Sequence, residues 1–365
     1  MKQVATLVLF VLWQLYLTAN DGSFYASGST LIPLQETSIE LKKEILSLKR
    51  LDSGWLKVDI LFEFYNPGEA KSLTVGFVTP PTSGDVAEEG SHPEIDNFKV
   101  MFGNELLAFQ ITRLADTDFK VEGFSKDDFW SDFVYHFTIP FQKGLNTIRH
   151  SYTYRGGSSV DFAESFVYQI TTGKRWANKE IGEFQLEIDM GNAFFFVPDS
   201  FFSNGDPTAW KINGIGKIKD QKDELMAGEF SVRHVRTTSG ILHYSATHFK
   251  PDLDLFFGII QPYFQPHYWV KDPAIAEKLD RIYTAIATMP DSMAIAELND
   301  EELRIARNFW YAWSGYQFKD ESLNNLFRLC AWYVADPVTT IEKINLSPAE
   351  KQCIDWILAE EKRRK

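Results

Sequence analysis

Between Trp55 and Tyr65 the apolar side chains fall on alternate positions: Leu56, Val58, Ile60, Phe62 and Phe64 share one face, and Lys57, Asp59 and Glu63 the other. A period of two is the signature of a half-buried strand. Asn66-Pro67-Gly68 supplies a turn, and 72–78 returns as a second strand that stops at Pro80-Pro81. Further runs of this kind occupy 105–113, 132–140, 146–155, 182–190, 228–236 and 241–249, while 194–202 and 255–260 have the size of core strands. Short strands separated by Gly, Pro, Asn and Asp predict an antiparallel sandwich, or a pair of them, over residues 20–265. The Gly156-Gly157-Ser158-Ser159 stretch is a candidate divide between two β-halves.

The period changes near residue 270. Asp272 caps and Pro273 opens a helix with Ile275, Leu279, Ile282 and Ile286 on one stripe, broken at Met289-Pro290. Asn299 with Glu302 makes a capping box, Leu298 and Leu303 a hydrophobic staple, and Gly315 a left-handed stop. A short helix through Leu323, Leu326, Phe327 and Cys330 follows. The last helix opens at Ser347-Pro348 with Glu350 and ends in Lys362-Arg363-Arg364-Lys365, a charge that suits the negative end of a helix. The expected organisation is therefore a mainly β body at 20–265, a connecting segment with one helix at 266–296, and a small all-α domain at 297–365.

Composition narrows the function classes. Aromatics make up 15% of the chain and thirty residues are phenylalanine, ample for a core and foreign to a disordered chain. A net charge of −13 opposes nucleic-acid binding. The N-terminus has Lys2, an apolar run from Val4 to Leu17 and a small-residue step at Thr18-Ala19, which predicts a signal peptide over 1–19. The expected product is exported, periplasmic or extracellular, with no stable transmembrane span in the mature chain. Cys330 and Cys353 are then in an oxidising compartment, where a disulfide would stabilise by about 3–4 kcal/mol. Two buried thiols on packed helices fit the sequence equally, because spacing does not give the Cα separation.

The stretch from Leu303 to Pro337, with 346–357 after it, resembles the YARHG domain, an extracellular bacterial module. The matching positions are Leu303-Arg304, Arg307-Asn308, Tyr311-Ala312, Gly315, Phe318, Trp332-Tyr333, Leu346 and Glu350, within about 297–362. Trp313 and Ser314 stand where the family has arginine and histidine. The resemblance implies a bacterial envelope protein of unestablished ligand. More loosely, Asn20-Asp21, Ser27-Gly28-Ser29 and the 58–81 stretch are similar to domain-of-unknown-function family 4424, which implies export and architecture but no chemistry.

Candidate chemistry is sparse. Phe309, Trp310, Tyr311 and Trp313 crowd one helix; most are expected as core, with Trp313, beside Ser314, the ring to test as a contact. Tyr263, Tyr268 and Trp269 lie in a proline-kinked segment suited to a glycan platform or to packing where body meets helices. A hairpin turning at Thr238-Ser239 would set His234 opposite His243, but neither a metalloprotease motif nor a cysteine pair accompanies them. There is no nucleophile elbow, and 213–220 lacks a phosphate-loop ending. No cofactor or metal is expected. The reading is a non-enzymatic envelope protein whose helical module meets a cell-wall glycan or an envelope protein. The alternatives are a secreted hydrolase with its residues in the β-loops, and a module that merely caps the body.

Overall fold

The computed structural model describes residues 27–29, 32–34, 37–51, 54–79, 91–119, 132–220, 222–261, 270, 272–288 and 290–365. The expected leader at 1–19 and the aromatic residues Tyr263, Tyr268 and Trp269 lie outside the described residues.

The body is a β-sandwich. One layer is an eight-stranded sheet in the order 211–213, 241–249, 181–189, 40–50, 55–66, 144–155, 95–102, 105–106. The other layer holds a seven-stranded sheet and a four-stranded one, which approach each other where Ser27–Ser29 passes Lys71–Thr79. The alternation at Trp55–Asn66 is realised as read: Leu56, Val58, Ile60, Phe62 and Phe64 are at most 4% exposed. They pack against Val75, Phe77 and Phe137 of the four-stranded sheet and Phe166, Phe195 and Phe257 of the seven-stranded one, in a single core.

Strands from before and after Gly156–Ser159 share the eight-stranded sheet, in two blocks that join where 43–49 pairs in parallel with 183–189. The sheet is therefore continuous across the glycine-rich stretch proposed as a divide. Two strand readings also change. Residues 105–113 form two short strands, Glu105–Leu106 on the edge of the eight-stranded sheet and Gln110–Arg113 on the edge of the four-stranded one. The hairpin at Thr238-Ser239 does not form: Phe230–Thr237 pairs in the seven-stranded sheet and Ile241–Phe249 in the eight-stranded one. Thr238 and Ser239 instead donate their backbone N–H groups to the Ile215 carbonyl at 3.1 and 3.4 Å, which turns the chain from one layer into the other. His234 accordingly sits opposite Phe196, and His243 opposite Glu187, so the two histidines never face each other.

Among the described residues five α-helices follow: α1 (Pro273–Tyr283), α2 (Ser292–Ala296), α3 (Asp300–Trp313), α4 (Glu321–Arg328) and α5 (Pro348–Arg363). Asp272 caps α1, and both expected capping boxes are present, Asn299 with Glu302 and Ser347 with Glu350. Gly315 ends α3 at φ +86°, a conformation that side chains oppose. The helices bury one core, from Leu279 and Ile295 through Phe309 and Trp332 to Ile357. That core also takes in Phe194 of the body.

Candidate functional site

Along Ala193–Pro198 the side chains of Phe195 and Val197 point into the sandwich, while Phe194 and Phe196 point out. The neighbouring strands obey the same parity. Val235 and Phe257 go in; Val232, His234, Arg236 and Phe256 go out. An outward face this apolar must be covered or must serve a ligand. It is divided between two uses.

One part receives the helices, and Arg236 is the joint. It is 1% exposed and has no carboxylate among its hydrogen-bond partners. Its guanidinium donates to the carbonyls of Trp332 at 2.7 Å and Ala193 at 3.0 Å, to those of Thr237 and Trp313, and to Asn192 Oδ1. It also stacks over the Trp313 ring at 4.6 Å. Burial lowers its pKa to about 9, so it keeps its charge at neutral pH. Beside it Lys217 donates to the Cys330 carbonyl at 3.0 Å, and burial lowers its pKa too. Phe194 stacks on the buried His234 ring at a centroid distance of 5.2 Å.

Trp313 is therefore half-buried between Arg236, Phe309 and Trp332, a part of the joint. Ser314 donates its hydroxyl to the Trp310 carbonyl at 2.9 Å and closes α3. Cys330 and Cys353 are buried free thiols. The Cys330 thiol faces the Leu326 carbonyl at 3.9 Å and lies near Lys217, whereas Cys353 lies beside Trp310. In these separate settings the disulfide weighed from the sequence is not formed.

The other part of the face opens as a cleft of about 970 Å³. Its aromatic floor comprises Phe162, Phe230 and Phe256, with Phe196 packed behind at 5.1–5.3 Å from Phe256 and Phe162. Phe230 and Phe256 are 4.7 Å apart. The rim is polar: Asp161, Asp199, Lys222, Glu224, Glu229 and Asp254. Asp199 is held by Arg233, and Asp254 accepts the Thr171 N–H at 3.0 Å. The buried Ser231 hydroxyl oxygen, also in the lining, has no hydrogen-bond partner among the described residues. Such a cavity, mostly apolar with a few fixed polar groups, has the make-up of a small-molecule site. Of the candidate residues singled out from the sequence, the described ones, Trp313 and Ser314, do not line it. The available signal was the unbroken apolar run at 193–198, which marks a strand covered on both faces.

Comparison with known proteins agrees with the helical part. Residues 282–362 match the YARHG domain. The match begins at Ile282 rather than near 297, and so takes in the end of α1, the turn at Thr284–Thr288 and all of α2, whose Ile282, Ile286 and Ile295 belong to the same core. No curated protein matches the chain. Among solved structures, a candidate nutrient-binding protein of Legionella pneumophila aligns over 93% of this chain and 100% of its own, at 16% identity and a TM-score of 0.52. That likeness is one of fold. An M1 zinc metallopeptidase from Deinococcus radiodurans aligns over 71% of this chain and 56% of its own, at 12% identity and a TM-score of 0.26. Among the described residues no group of three or more His, Cys, Asp or Glu side chains is placed to hold a metal ion, and no helix is long and apolar enough to cross a membrane.

Proposed function

We propose that this is an exported, non-enzymatic binding protein of a bacterial envelope. It holds a small ligand in the cleft of the β-body, while the YARHG domain is clamped to the same sheet face beside it. The observation that carries this reading is the aromatic-floored cleft of about 970 Å³, large for one chain and rimmed by fixed polar groups. The Legionella protein of similar fold, a candidate nutrient binder, supports a solute-binding role. A hydrolase in the same cleft is less well supported, because Asp199 is tied to Arg233 and Asp254 to the Thr171 amide. The resemblance to family 4424 adds architecture and export alone.

A second reading concerns the module. Leu329, Val338 and Ile341 are 50–62% exposed on it, which favours contact with an envelope protein over a glycan, whose recognition calls for accessible rings.

The test is a thermal-shift screen of amines, amino acids, sugars and peptidoglycan fragments against the full protein, Phe256→Ala and Trp313→Ala. Stabilisation by one class that persists in Trp313→Ala and vanishes in Phe256→Ala is the expected result. A response lost in Trp313→Ala and kept in Phe256→Ala would move the site to the module.

A further inference from the structure

The charge around the cleft is more one-sided than that of the chain. Among the described residues of the lining, Asp161, Asp199, Glu224, Glu229 and Asp254 face a single lysine, Lys222, whereas the whole chain carries 50 acidic residues to 37 basic ones. Two of the five are already matched. Asp199 pairs with Arg233, and Glu224 lies 3.5 Å from Lys222. Asp161, Glu229 and Asp254 take part in no ion pair among the described residues. These three carboxylates line the same cleft as the phenylalanine rings, with Met226, Leu253 and Val232 among its other apolar side chains.

Resting on the reading of this cleft as the ligand site, we propose that it takes an organic cation: an ammonium group carried on an aromatic or alkyl body. The rings contribute twice, burying the body and turning their negative faces toward the charge. The three carboxylates supply the complementary field, which the low-dielectric floor strengthens. An anion would enter against that field. A neutral body of the same shape would gain the floor and nothing from the rim.

Three probes of one shape separate these terms: 4-phenylbutylammonium, 4-phenylbutanol and 4-phenylbutyrate, titrated calorimetrically into the full protein. The ammonium should bind about tenfold tighter than the alcohol, with the carboxylate weakest, and its advantage should shrink as salt rises. In the triple variant Asp161→Asn, Glu229→Gln, Asp254→Asn the advantage should fall to about threefold or less while the alcohol binds as before. Equal binding of ammonium and alcohol, both abolished by Phe256→Ala, would overturn the cation and leave the cleft as a site. Binding of no probe, or binding indifferent to Phe256→Ala, would overturn the cleft itself.

Discussion

The Arg236 guanidinium lies 4.6 Å from the centroid of the Trp313 ring and donates to the Trp313 carbonyl of the same residue. A cation from the body and a ring from the helical module thus fix each other across the joint. The body contributes the fork and the module two of its acceptors, the carbonyls of Trp313 and Trp332. Arginine suits this place because its planar donors reach several acceptors at once.

Replacing Arg236 with methionine should therefore destabilise by about 3 kcal/mol, because it strands buried carbonyls from both parts. Arg236→Lys should recover little of it. Trp313→Ala should cost about 2 kcal/mol, and the double variant should fall short of the sum by about 1 kcal/mol. Urea denaturation of the four proteins checks the cycle; strict additivity would mean the ring and the cation act independently.

Acid should weaken the fold before any carboxylate titrates. Burial lowers the pKa of His150 to about 3 and that of His234 to about 4, from 6.5 in the free imidazole. As the pH falls below 6.5 the unfolded chain takes up protons that the folded chain refuses, so stability drops by up to about 1.4 kcal/mol per pH unit for each histidine. Above 6.5 neither contributes. His150 lies among Phe98, Tyr152 and Phe77 at 4.7–5.9 Å, and His150→Phe should reduce the fall between pH 6.5 and 5 without abolishing it, because burial also lowers His92 and His136. Denaturation midpoints at pH 7.5, 6.5 and 5 measure it, and an unchanged slope in the variant would assign the effect elsewhere.

The thiols should be silent until the protein unfolds. Burial pushes Cys330 up to about 12 and Cys353 up to about 11, so neither offers thiolate at neutral pH. Alkylation under native conditions should label neither; in denaturant without reductant it should label both, and dithiothreitol should leave the melting temperature unchanged. A mass two units low with no labelling would establish a disulfide instead.

Gly258 should tolerate no side chain. A Cβ there would stand 2.2 Å from the Glu164 carbonyl oxygen, at the centre of the seven-stranded sheet where Leu255–Ile260 meets both neighbours. Gly258→Ala should cost about 3 kcal/mol, and a thermal melt within a degree of the parent protein would contradict this packing.

Strand and helix positions were legible because each rests on local signals. Leu56 through Phe64 declare a buried face by their period, and Asn299 with Glu302 declares a helix start by hydrogen bonds only three residues apart. Partnership between strands is another matter. Thr238-Ser239 has the composition of a hairpin turn, yet the Ile215 carbonyl, distant in sequence, captures its amides and sends the chain into the other layer. Trp313 met the same limit. Its place on α3 is readable, but its cover comes from Arg236, on a strand that nothing in the helical segment anticipates. The cleft is assembled from four separated stretches between Ser159 and Phe256, so no single window of the sequence displays it.

The parallel ladder between 43–49 and 183–189 also sets a timetable. A chain made from its N-terminus produces the strand at 40–50 early, and its antiparallel partner at 55–66 follows at once. The other edge of that strand must wait while everything from 67 to 180 is synthesised, and the next strand outward, 241–249, comes later still. Through that interval the half-built sheet presents a row of unpaired amides and carbonyls flanked by leucine and isoleucine, the kind of edge on which chains aggregate. The body can therefore close its central sheet only after its last strands have been made.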